Sequence, residues 1–144
     1  YAYKELSLIN NAIAMPLAGG ENNVGIHEFV DMLEQNTYDV LQPEGMVLSG
    51  ITTLKKIGVL AQAHGKQIVP HHGGGNIGVI AHMHLIASWP HSPFMELLND
   101  PPIGAYTNGF SIMSNHPVVK DGYIDLPQGP GLGVEIDRDL IMDD

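Results

Sequence analysis

The chain has 144 residues and a formal charge of −10, with six Lys and Arg against sixteen Asp and Glu. Nucleic acid and anionic membrane surfaces both need clustered cations, and no such cluster occurs, so both are excluded as expected partners. The chain has no cysteine, which removes disulfide frameworks and thiolate metal sites and suits a reducing cytoplasm.

No apolar run reaches the roughly 18 to 20 residues that a membrane helix needs. With 44% apolar and 15% charged residues the composition is that of one globular unit. The opening YAYKELSLINN lacks Met and the basic and apolar regions of a signal peptide. It starts inside a helical pattern, which reads as a chain cut from something longer.

In chain order, the first strand-like run is Ala12–Leu17, followed by a glycine pair, Glu21 and Asn22. VGIHEFVDMLEQ comes next, with Ile26, Phe29, Val30 and Leu33 on one helical face. Tyr38–Gln42 is a second strand, with Glu44 just beyond it. A helix over Ile51–His64 ends at Gly65, in the C′ position that favours glycine. Gln67–Pro70 is a third strand, tipped by His71 and His72, and a helix over Ile77–Trp89 is stopped by Pro90. Pro93–Leu97 is a fourth strand and carries Glu96.

Strands alternating with helices predict a parallel α/β fold. Residues 1–99 form this unit. Residues 100–144 are a loop-rich tail, with a hairpin in VVKDGYIDL around Asp121-Gly122. The seven methionines read as core filler.

Each strand therefore ends on a carboxylate or an imidazole, at the edge where parallel α/β folds build their sites. Any one of these groups alone has an ordinary explanation, such as a Glu favoured by a helix dipole or a solvated loop His. Four in succession form a crown. His82 and His84 resemble a metal-binding H-x-H pair, but on a helix they point about 200° apart, so they are read as helix-face histidines. His27, His64, His91 and His116 carry no specific pattern.

Gly73, Gly75 and Gly78 match the dinucleotide spacing G-x-G-x-x-G after a strand and before a helix. Two features count against that reading: a histidine pair interrupts the junction, and two strand–helix units precede the motif. The residues alone leave three options. These are a nucleotide turn, an anion held at the helix N-terminus, and a loop presenting a catalytic histidine.

PLAGGE, YDVLQPEGMVLSGIT, IVPHH, FMEL and DGYIDLPQGPGLGVEID, in that order, resemble the C-terminal part of the enolase superfamily, in its mandelate racemase and sugar-acid dehydratase subgroup. The resemblance implies the C-terminal half of a (β/α)7β TIM-like barrel, strands five to eight. The tail would then pack back toward a capping domain that this chain lacks. It also implies a Mg²⁺-dependent enzyme that abstracts the proton α to a carboxylate, an acid-sugar dehydratase or alternatively a racemase or epimerase of 2-hydroxy acids.

Carried onto this sequence, Glu21 is a Mg²⁺ ligand and His71 the general acid/base. Glu44 orients His71 and tunes its charge. Glu96, as a protonated acid, donates to the enediolate oxygen, and Asn22, His72 and Gly73 lie beside the substrate. Homo-oligomers are common among such barrels.

Glu44 stands where the family commonly has Asp. The family's lysine pair and first two metal carboxylates have no counterpart here, so the chain reads as a fragment that is not by itself a competent catalyst. The competing readings are a nucleotide-binding α/β domain and a non-catalytic structural half-barrel.

Overall fold

The computed structural model describes residues 2–46, 50–72 and 77–141. Helix α1 (Tyr3–Ala12) leads to strand β1 (Ala18–Gly19), α2 (Gly25–Glu34), β2 (Val40–Leu41), α3 (Gly50–Ala63), β3 (Gln67–Ile68) and α4 (Ile77–Ala87). The strands form one parallel sheet in the order β1-β2-β3, so the α/β expectation holds.

The strands are shorter than the apolar runs suggested, and β1 begins at Ala18 rather than inside Ala12–Leu17, because Ala12 closes α1. Pro16 stands before β1, Pro43 after β2 and Pro70 after β3, and none of them has an N–H to donate. Pro93–Leu97 is not a strand among the described residues. That segment follows a single backbone bond from Ile68 N–H to His91 O (3.3 Å).

Helix ends follow local chemistry. Gly65 adopts φ +67°, with Lys66 N–H donating to Ala61 O (2.8 Å) and Gly65 N–H to Gln62 O (3.1 Å). That pair of bonds is the Schellman closure. Asn36, at φ 53°, closes α2 the same way through Thr37 N–H to Met32 O (2.9 Å).

The core lies between sheet and helices: Phe29, Met32 and Leu33 of α2, Leu54, Ile57 and Ala61 of α3, Leu41 and Ile68 of the sheet, and Leu85 and Trp89. A second cluster joins Val79, Ile80 and Met83 of α4 to Phe110 and Met113. The Asp121-Gly122 turn, with φ 51° and 80°, joins antiparallel β4 (Val119–Lys120) and β5 (Tyr123–Ile124). Positive φ at both turn residues is what a two-residue hairpin demands. Met32, Met83 and Met113 fill the core, but Met15 and Met46 are exposed.

Opposite the crown, Asp39 straps the sheet. Its Oδ1 accepts from Lys66 Nζ (2.9 Å) and its Oδ2 from Leu17 N–H (3.1 Å). Burial works to raise the Asp39 carboxyl, but the bonds from Lys66 and Leu17 prevail and hold it below its ordinary value. A carboxyl depressed by folding contributes stability above its unfolded pKa and loses it as pH falls through the folded one. Asp39→Asn is therefore expected to be less stable than the parent near neutrality. The two acid-unfolding curves should converge below the ordinary carboxylate range.

Candidate active site

Ladder register sets the level of the crown. Val40 N–H donates to Leu17 O (3.1 Å) and Gln42 N–H to Gly19 O (2.9 Å). Across the other gap, Gln67 N–H donates to Asp39 O (3.0 Å), Val69 N–H to Leu41 O (2.9 Å) and His71 N–H to Pro43 O (3.2 Å). Alternate residues thus climb in step, and Glu21, Glu44 and His71 emerge together at the C-terminal edge.

His71 is the centre of this cluster. Its Nε2 lies 3.1 Å from Glu21 Oε2 and 3.8 Å from Glu96 Oε1, and its Nδ1 lies 3.4 Å from Glu44 Oε2. Glu44 is buried, with 6% of its side chain exposed, whereas Glu21 (47%) and Glu96 (37%) face the open side. The Nδ1 edge of the imidazole thus meets a buried carboxylate, and the Nε2 edge meets two that reach solvent.

The carboxylates are themselves held. Gln42 Nε2 donates to Glu96 Oε2 (2.8 Å), Met46 N–H to Glu44 Oε1 (2.8 Å) and Asn22 Nδ2 to Glu21 Oε1 (3.3 Å). Asn22 thus lies against Glu21.

His72 turns to a different task, since its Nδ1 accepts from Leu98 N–H (2.8 Å) and braces the segment carrying Glu96. Burial, with a further push from His71, lowers the His72 imidazole below its ordinary value against the pull of Glu44. A neutral ring suits an acceptor nitrogen.

Gly73 and Gly75 lie outside the described residues. Gly78 begins α4's buried face, and a Cβ there would lie 2.2 Å from Met46 Cγ. This glycine therefore serves the approach of the Glu44 loop to the helix.

Mg²⁺ takes a shell of about six oxygens and needs more than one carboxylate to be held firmly by protein. Among the described residues no group of three or more His, Asp and Glu could hold a metal ion, and Glu21 Oε2 is engaged with His71. The described residues alone do not fit the ion.

Two further residues belong to the cluster without a sequence motif of their own: Gln42, a strand residue by pattern, and His82, a helix-face residue by spacing. His82 is buried, with its Nε2 3.7 Å from Glu44 Oε1. The available signal was composition: α4 reads IGVIAHMHLIA, and in so apolar a helix a buried histidine needs a polar partner. His84 points elsewhere, toward Leu132 O (3.0 Å). The two histidines do not form a metal pair.

An imidazole ringed by three carboxylates thus stands at the C-terminal edge of a parallel α/β sheet, the edge at which barrel folds carry their sites. The chain belongs to the enolase C-terminal domain-like family, whose model matches residues 1–140. It is 32% identical over 128 residues to an L-rhamnonate dehydratase of Saccharopolyspora erythraea, covering 88% of this chain and 32% of that protein. It is 30% identical over 137 residues to a D-galactarolactone cycloisomerase of Agrobacterium fabrum, covering 90% and 35%.

Among solved structures it is similar to a mandelate racemase/muconate lactonizing enzyme from Sulfitobacter sp. The TM-score is 0.85 at 30% identity, covering 96% of this chain and 34% of that one. The chain thus spans about a third of the length of the curated relatives it matches. No helix among the described residues is long and apolar enough to cross a membrane.

Proposed function

We propose that this chain supplies the acid/base side of the active site of an acid-sugar dehydratase. The observation that carries the reading is the His71 ring, which meets Glu44 Oε2 at Nδ1 (3.4 Å) and Glu21 Oε2 at Nε2 (3.1 Å). Glu44 keeps one ring proton on Nδ1. The contact of Nε2 with Glu21 Oε2 needs a second proton on Nε2, and it is the ring without that proton whose Nε2 lone pair takes the proton α to the substrate carboxylate.

As the C–H bond breaks, its electron pair forms the C=C bond of an enediolate. His71 Nε2, now protonated, delivers that proton to the β-hydroxyl as the C–O bond breaks and water leaves. The remaining enol becomes a 2-keto-3-deoxy acid. Glu96, held by Gln42, faces the same Nε2 and lies on the side the substrate carboxylate would occupy.

Relatives that act on sugar acids and their lactones support this substrate class. Mg²⁺ would rest on Glu21 and on carboxylates from outside this chain.

The test is incubation of the full-length protein with a panel of acid sugars in D₂O. A 2-keto-3-deoxy product is expected. Recovered substrate carrying deuterium at the α-carbon, without product, would replace dehydration by racemisation or epimerisation. Absence of both product and α-deuterium with every acid sugar tested would overturn the reading.

A further inference from the structure

His82 has no part in the chemistry described above, yet it is the one buried ionisable side chain of α4. Its Nε2 accepts from Gly45 N–H at 3.2 Å. Met46 N–H, the next amide, donates to Glu44 Oε1 at 2.8 Å. Two consecutive amides of one turn are therefore assigned, the first to His82 and the second to the Glu44 carboxylate.

Helix and turn approach closely at Gly45. A Cβ on Gly45 would lie 2.7 Å from His82 Nε2 and 3.0 Å from Leu54 Cδ2. The glycine is what lets helix and turn close to hydrogen-bonding distance.

We propose that His82 is a positioning residue, a clamp from α4 that fixes the Pro43–Met46 turn and so aims Glu44 at His71. The proposal rests on the functional reading above, in which Glu44 sets the tautomer of His71. An acceptor nitrogen cannot carry the proton, so His82 is neutral with its hydrogen on Nδ1. Burial lowers the His82 imidazole below its ordinary value, against the pull of Glu44 and with a smaller push from His72 and His71. The contact at 3.7 Å between His82 Nε2 and Glu44 Oε1 is then a packing contact, and the amide bond is the working one.

Two variants of the full-length protein separate clamp from filler. His82→Gln keeps a side-chain acceptor near the position of Nε2, and His82→Leu keeps apolar bulk without one. His82→Leu is expected to lower kcat by up to about 100-fold, the scale of a misplaced catalytic group. KM should stay within a few-fold, and His82→Gln should recover most of the loss.

Ring ¹⁵N shifts give a readout besides activity. The parent should show His82 with an unprotonated Nε2 and His71 with its proton on Nδ1, and the Leu variant should show mixed His71 tautomers. A protonated His82 Nε2 in the parent overturns the proposal whether or not either variant folds. So does a Leu variant with parental kcat and His71 tautomer, or a Gln variant that falls as far as Leu. If the parent turns over no acid sugar, the functional reading fails, while the shifts still decide whether the clamp exists.

Discussion

Replacing His71 by asparagine in the full-length protein is expected to lower kcat by about 10²- to 10⁴-fold, the range that general acid–base groups contribute. Asparagine can still offer an N–H near the position of Nδ1, and so keep the contact with Glu44 Oε2 that now stands at 3.4 Å. It has no lone-pair nitrogen to take a proton at neutral pH. The substitution thus preserves orientation and removes proton transfer.

His71 is only partly buried, and its main-chain N–H donates to Pro43 O (3.2 Å) in either variant, so folding should be little changed and KM should move by a small factor. Product formation and α-deuterium exchange should fall together, because one imidazole is assigned both steps. Exchange that persists while product disappears would leave His71 as the acid alone and put the base outside this chain. Unchanged activity would instead favour a structural half-barrel with no catalytic part here.

The crown was legible because it rests on short-range regularities. Apolar runs of strand length end in polar residues, and the ladder brings those ends level. Helix closure at Gly65 and the hairpin at Asp121-Gly122 were equally local, since each depends on a backbone conformation that few residues adopt.

Strand lengths were not legible. The apolar runs extend to Leu17, Gln42 and Pro70, whereas the paired strands cover only Ala18–Gly19, Val40–Leu41 and Gln67–Ile68. The fourth run does not pair as a strand: Pro90 and Pro93 flank Ile68 N–H to His91 O, the one backbone bond among the described residues that ties that segment to β3. His82 escaped because its partner, Gly45, is 37 positions away. Spacing within α4 states which way the histidine points, and only the docking of α4 on the Glu44 turn states what it meets. The same docking explains Gly78, whose spacing suggested a cofactor turn and whose absent side chain makes room for Met46.

Phe29→Ala is expected to be the most damaging single truncation in the core, costing about 3–5 kcal/mol. Phe29 is 0% exposed and packs with Met32, Leu33, Leu41, Leu54 and Ile57, among residues from three elements that are themselves sealed from solvent. So little slack surrounds it that a cavity there can collapse only by moving helices. The loss is a large share of the roughly 5–15 kcal/mol by which domains are stable.

The damage should also reach the site. Gly20, at φ +116°, lies directly over this ring, and a Cβ built on it would be 3.1 Å from Phe29 Cε1. The ring is thus the floor of the turn that presents Glu21, and removing it frees the backbone next to that carboxylate. Denaturant unfolding should show a lower midpoint with an unchanged slope, and Phe29→Leu, which keeps most of the apolar volume, should lose less. Activity lost by Phe29→Ala at temperatures where the variant remains folded would trace to Glu21, and activity kept under those conditions would show that the turn holds its shape without the ring. A loss below about 1 kcal/mol would mean that neighbouring side chains refill the space, contrary to the close packing of protein interiors.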